Sequence, residues 1–196
     1  MWNNILYIKD VLKKYNEPER RYHNFDHILY MYQEAQSYGI SLTDEQFMAI
    51  LFHDVIYVPG AKDNEEKSIE FMHKCILDSV SSGPLRIIDD IILSTKDHAP
   101  LNYQAKMVID LDLMNLTETW ARYKEIVRKS KQEYLRFLGE RGPSQFIKIR
   151  KDFVEKYLAK DKLFHSDFFL KSAATDNARR NLETELIYLN KGRNYF

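Results

Sequence analysis

Of the 196 residues only one, Cys75, is a cysteine. That excludes an internal disulfide and any cysteine-built zinc cluster, and it fits a reducing compartment. A metal held by this chain must therefore take nitrogen and oxygen ligands. No apolar run approaches the ~20 residues needed to cross a bilayer, so no membrane span is expected. The N-terminal stretch "MWNNILYIKDVLKKY" is amphipathic but lacks the basic start, continuous apolar core and small-residue cleavage site of a secretory signal, and the expected location is cytoplasmic. Net charge is absent too: Lys plus Arg equals Asp plus Glu at 29 each, which removes any general pull toward a nucleic acid polymer or a membrane surface. There is no period-two alternation long enough for a credible strand, no internal repeat and no low-complexity segment.

What is present is an ordinary balance, 44% hydrophobic and 30% charged, in a chain long enough for one core; the expectation is a single domain over residues 1–196. The apolar residues recur at i, i+3, i+4 and i+7, as in Leu85, Ile88, Ile92 and Thr95, or Phe146, Ile149, Phe153 and Tyr157. Thr43 with Gln46 and Asp63 with Glu66 place a capping residue three before a Gln or Glu, and Pro84, Pro100 and Pro143 suit first-turn positions. Breaks fall at "YVPGAKD", "SSGPL", "DHAPL" and "GERGPSQ". The pattern predicts an all-α fold of eight to ten helices. The 13 tyrosines and 11 phenylalanines, spread at helical spacing without a basic patch, belong to the core and the helix interfaces.

Four features bear on chemistry. "RRYHNFDHILYMYQ" sets His23 and His27 one turn apart on one helix face, a pair that either carries chemistry or fills space. "AILFHDVIYVPGAKDNEEKSIEF" puts His53 and Asp54 at the end of an apolar helix, where an ionised Asp is costly to bury unless it is paired or bound to a cation; the alternative is a hydrogen-bonded pair that closes the helix. "ILSTKDH" ends in His98. "MVIDLDLMNL" carries Asp110 and Asp112, which point about 200° apart on a helix, so only one of them can face a given site and the other is a cap or a supporting group. These segments hold four of the six histidines, each feature on its own amphipathic helix. Two or three imidazoles with two carboxylates suit Mn, Fe, Co, Ni or Zn, whereas Mg prefers oxygen ligands and fits only a second site. His73 and His165 are read as structural.

The segments "YNEPERRYHNFDHI", "FHDVIYVPGAKDNEEKSI", "LSTKDH", "DLDLMNL" and "ARRNLETEL", in this order over residues 15 to 186, resemble the HD superfamily of metal-dependent phosphohydrolases, in particular its small bacterial members. The resemblance implies an HD-type helical bundle in which His27, His53, Asp54 and a later Asp bind the metal. "YHNFDH" is also similar to the "YHNxxH" segment of cyclic-nucleotide phosphodiesterases, whose first histidine protonates the leaving group and whose second binds metal; this implies an acid role for His23 and a ligand role for His27. "DLMNL" is similar to the segment around the last metal-binding Asp of those enzymes and favours Asp112 over Asp110. The chain is too short for such a catalytic domain and lacks its further histidines and glutamine, so the cyclic-nucleotide substrate is not implied.

Arg20 matches an arginine of the family segment, and a guanidinium there can grip a phosphate bidentately; a solvated surface arginine is the alternative. Glu66, or its neighbour Glu65, is read either as a helix cap or as the carboxylate that orients the attacking water. His98 is open to three roles: a second metal, a phosphate, or the core. Arg179 is a candidate to reach the site from the last helix. The expected activity is hydrolysis of a phosphoester or phosphoanhydride of a small metabolite or nucleotide. The rival readings are an HD-fold di-iron oxygenase and a non-catalytic ligand-binding module with a structural metal.

Overall fold

The computed structural model describes residues 6–76, 81–138, 142–170 and 172–191. Among these the chain is helical without a strand, in ten α-helices and one 3-10 segment. It divides into two compact units, Met1–Asp112 and Leu113–Phe196. No described helix is long and apolar enough to cross a membrane.

The first unit contains α1 (Leu6–Tyr15), α2 (Phe25–Ser37), α3 (Asp44–Phe52), α4 (Asn64–Ile76), α5 (Ser82–Asp97) and α6 (Ala105–Asp112). Helix α3 is its centre. Met48, Ala49, Ile50, Leu51 and Phe52 are all buried, and α3 packs most extensively on α5, which in turn carries α4 and α6. Each such apolar side chain removed from water is worth ~1.5–3 kcal/mol, so the position of α3 is strongly determined. Its start is fixed by the expected capping box: the Thr43 side chain accepts from the Gln46 backbone, and the Gln46 side chain accepts from the Thr43 backbone. Asn24 caps α2 by accepting from the Asp26 N–H.

Two helices of this unit end alike. After α2, Gly39 adopts φ +65° while Ile40 N–H donates to Ala35 O at 2.8 Å. After α5, His98 adopts φ +50° while Ala99 N–H donates to Ser94 O at 3.1 Å. This left-handed turn favours glycine, and at the end of α5 a histidine occupies it.

Several local expectations shift. The "SSGPL" segment opens α5 rather than separating helices, with Pro84 in its first turn. Pro100 lies in the loop before α6; Ser94 Oγ accepts from Leu101 N–H there, and Asn102, not the proline, caps Ala105. Helix α4 does begin after Asp63, but the Glu66 side chain pairs with Lys96 on α5. Of "GERGPSQ", residues 139–141 lie outside the described residues.

The second unit holds a 3-10 segment (Leu113–Thr117), α7 (Trp120–Leu138), α8 (Gly142–Leu158), α9 (Asp167–Leu170) and α10 (Ala174–Asn190). Helix α8 packs on α7 and α10. Pro143 sits in its first turn as expected. The buried face of α8 is rotated from the one the spacing indicates: Phe146, Val154 and Tyr157 are buried, whereas Ile149 is exposed. The rotation brings Arg150 against buried Glu185, with contacts of 2.7 and 3.0 Å, and Tyr123 donates its hydroxyl to the same carboxylate.

Candidate metal centre

The first unit brings four of the predicted ligands together from three places. His27 comes from the first turn of α2, His53 and Asp54 from the turn that follows α3, and Asp112 from the end of α6. His27 Nε2 lies 3.0 Å from Asp112 Oδ1, and His53 Nε2 lies 3.1 Å from Asp54 Oδ2 and 3.9 Å from Asp112 Oδ1. One ligand atom each of His27, His53 and Asp54 falls within 4.8 Å of the others. His98 joins from the left-handed turn after α5, its Nε2 3.1 Å from Asp112 Oδ2. Asp110, two residues before Asp112 on α6, is wholly buried.

The donor set fits a divalent transition ion. Ligands around one ion at bond lengths of ~2.0–2.2 Å take spacings of this order. His53 Nδ1 lies 2.9 Å from Ile50 O, which orients the ring so that Nε2 faces the carboxylates, as the backbone contacts of metal-ligating histidines do. That Nε2 is buried, with Asp54 Oδ2 its nearest carboxylate oxygen at 3.1 Å. The site thus offers two imidazole nitrogens and two carboxylate oxygens.

The electrostatics point the same way. Burial opposes ionisation of Asp54, but the charge of His53 outweighs it and holds the carboxyl well below its usual range. Burial likewise opposes the Asp112 carboxylate, and hydrogen bonds from His27 and His98 reverse the balance and hold it down. Burial pulls His53 down, yet the Asp54 charge dominates and the imidazole is pushed up to about 9. Two buried carboxylates stay ionised only with positive charge against them, and protons or a metal ion can supply it.

Beside the cluster, the His23 ring stacks on Tyr57 with centroids 3.7 Å apart and meets His27 edge-on at 6.3 Å. Its charge acts on Asp54, so it stands near the carboxylates. Glu66 points elsewhere: it is exposed and paired to Lys96. Its neighbour Glu65 is half-buried, and burial together with the Asp54 charge raises its carboxyl above the usual value. Adjacent residues on a helix point about 100° apart, and of the two Glu65 is the less exposed.

Arg20 departs furthest from expectation. Its side chain is 3% exposed, and its guanidinium donates to the backbone carbonyls of Asp54 at 2.6 Å, Val55 at 2.8 Å and His23 at 3.0 Å, with Nε directed at Glu17. These donors are engaged, so Arg20 does not present a fork to a phosphate. Arg179 donates to the carbonyls of Leu158, Lys160 and Asp161 and closes the end of α8. His73 pairs with Asp89 at 2.9 Å between α4 and α5.

Other supports of the site carry little sequence signal. Asn64 both accepts from Val58 N–H and donates to Val58 O, and Ser68 does the same with Ile56, so α4 holds the loop after the His-Asp turn from both sides. Comparison with protein-family models, with curated proteins and with solved structures returned no match for this chain.

Proposed function

We propose that the protein is a metal-dependent phosphohydrolase that cleaves a phosphoester or phosphoanhydride of a small metabolite or nucleotide. The observation that carries this reading is the convergence of His27, His53, Asp54 and Asp112 from separate elements onto one buried two-nitrogen, two-oxygen cluster. His27, His53, Asp54 and Asp112 would hold a divalent ion, which would act as a Lewis acid and would lower the pKa of water from 15.7 toward ~7.

The chain's own groups supply the rest. Glu65, whose carboxyl is raised, accepts a proton from the attacking water at a carboxylate oxygen. His23 stands on the flank of the cluster and gives a proton to the leaving oxygen from its ring. The balanced charge of 29 basic and 29 acidic residues favours a small substrate over a polymer.

A panel of phosphorylated metabolites incubated with Mn, Co, Ni or Mg, read as released phosphate, tests the reading. Release that requires the ion and is lost in Asp54→Asn supports it. Equal release with and without the ion, or equal bound metal in wild type and Asp54→Asn, sinks it. One observation favours the di-iron oxygenase reading: Asp112 turns Oδ1 toward His27 and Oδ2 toward His98, as a carboxylate shared by two ions does. Turnover under strict anaerobiosis separates the two, since phosphate release needs no dioxygen.

A further inference from the structure

The turn after α3 carries two of the proposed ligands, and it leaves carbonyls that no helical N–H can reach. Those oxygens are met from one direction. Tyr15 donates its hydroxyl to Leu51 O at 3.0 Å, and Arg20 donates to Asp54 O and Val55 O at 2.6 and 2.8 Å. The Nη1 that reaches Asp54 O also reaches His23 O at 3.0 Å. One guanidinium therefore ties the segment bearing the acid to the turn bearing His53 and Asp54. The guanidinium is itself held: Glu17 accepts from Nε at 3.3 Å, and the Tyr15 ring lies 5.3 Å from Cζ.

We infer that Arg20 is a positioning residue of the metal centre, which fixes the backbone of His23 and Asp54 so that their side chains meet the ion and the substrate in register. This role rests on the metal-centre reading above. Arg20 contacts no ligand atom; it acts through the backbone on the residues that do. Two nitrogens of one planar fork, Nη1 and Nη2, meet the three carbonyls while Nε holds Glu17, and the single nitrogen of a lysine ammonium does not reproduce that fixed spread. The demand is high because productive ligand geometry tolerates only ~0.5 Å. A pocket of about 210 Å³ reaches Tyr15, Glu17 and Arg20. A small cation can therefore enter from solvent where the side chain is truncated.

The test uses the full chain loaded with Co(II), read by its visible absorption and by the affinity for the ion, with no activity assay needed. Arg20→Lys and Arg20→Ala are compared with wild type and with Leu182→Ala, a core truncation in the second unit. The expected result is a loss of ~10–100-fold in Co(II) affinity and an altered absorption band in both Arg20 variants. Leu182→Ala should keep the wild-type spectrum. Millimolar guanidinium should restore the band and the affinity of Arg20→Ala, while methylammonium, which brings charge without the fork, should not. If Arg20→Ala does not fold, Arg20→Lys carries the comparison. A wild type that takes up no Co(II) overturns the metal centre and this role together. A wild type that binds, with Arg20→Lys matching it in spectrum and affinity, overturns the role of Arg20 alone.

Discussion

Replacing His98 by glycine and by alanine separates two opposing effects at the edge of the candidate site. His98 is held at φ +50°, ψ +51°, a conformation that costs a residue with a Cβ ~1–2 kcal/mol. Against this, glycine's greater freedom in the unfolded chain takes back ~0.4–1 kcal/mol, so glycine should exceed alanine here by roughly 1 kcal/mol. Inside a helix the order is reversed, with alanine ahead by a similar amount. Both variants also lose the bond from His98 to the ionised Asp112, worth ~1.5–3 kcal/mol for a hydrogen bond to a charged group. The bond outweighs the strain, which explains how a histidine persists where glycine fits better. In urea unfolding, His98→Ala should fall by about 1.5–3 kcal/mol and His98→Gly by about 0.5–2. In thermal melts the two should differ by ~2–4 °C. Placed in an Asp112→Asn background, His98→Ala should lose less, since its charged partner is already gone. Alanine equal to or above glycine would refute the left-handed turn, and an undiminished loss beside Asp112→Asn would refute the bond.

On α6, Asp112→Asn should lose metal and activity while Asp110→Asn keeps more of both, measured by elemental analysis after dialysis against Mn; the reverse pattern moves the ligand to Asp110. His23→Ala should retain its metal, lose ~10²–10⁴ in rate on an ester with an alkoxide leaving group, and lose little on p-nitrophenyl phosphate, whose leaving group needs no proton. Loss of metal, or an equal fall on both substrates, would make His23 a ligand or a structural residue. Glu65→Gln should cut the rate more deeply than Glu66→Gln, because only Glu65 is coupled to Asp54; equal losses would remove the distinction. In the second unit, Arg150→Met should destabilise by ~3–5 kcal/mol in denaturant unfolding by stranding buried Glu185, and adding Glu185→Leu should recover most of it; a double variant as unstable as the single would mean that the pair itself supplies the stability.

The periodic features were legible because each has a signature within one turn of helix. Thr43 and Gln46 announce a capping box. The shared helix face expected for His23 and His27 does not form, because Asn24 caps α2 and the helix begins at Phe25, which leaves His23 in the segment before it, edge-on to His27. The structure brings His27, His53, Asp54, His98 and Asp112 together. What escaped the sequence depends on partners that carry no side-chain signature. The acceptors of Arg20 are backbone carbonyls 34 and 35 residues away, and nothing in a run of letters marks which carbonyls a helix end leaves open. Glu66 and Glu65 are each open to a capping role or to orienting the attacking water, and no spacing in the sequence shows that the Glu66 side chain pairs with Lys96 on α5. Similarly, Ile149 completes an apolar stripe on paper, but Glu185 on α10 demands a cation, and α8 turns Arg150 inward to meet it.

That last contrast bears on the metal centre. Both units bury carboxylates, and they neutralise them differently. Glu185 is met by a guanidinium at 2.7 Å and by a tyrosine hydroxyl, a set that is complete within the protein. Asp54 and Asp112 are met by imidazoles, and the one buried arginine beside them, Arg20, directs its donors to backbone oxygens instead of to either carboxylate. An arginine placed for stability alone would serve best on the carboxylates, where its charge offsets theirs. Its position on the backbone leaves the carboxylates facing the imidazole nitrogens, with His53 Nε2 turned toward them. The two units thus differ in the donors that meet their carboxylates, and imidazole with carboxylate is the set that the proposed divalent cation would use.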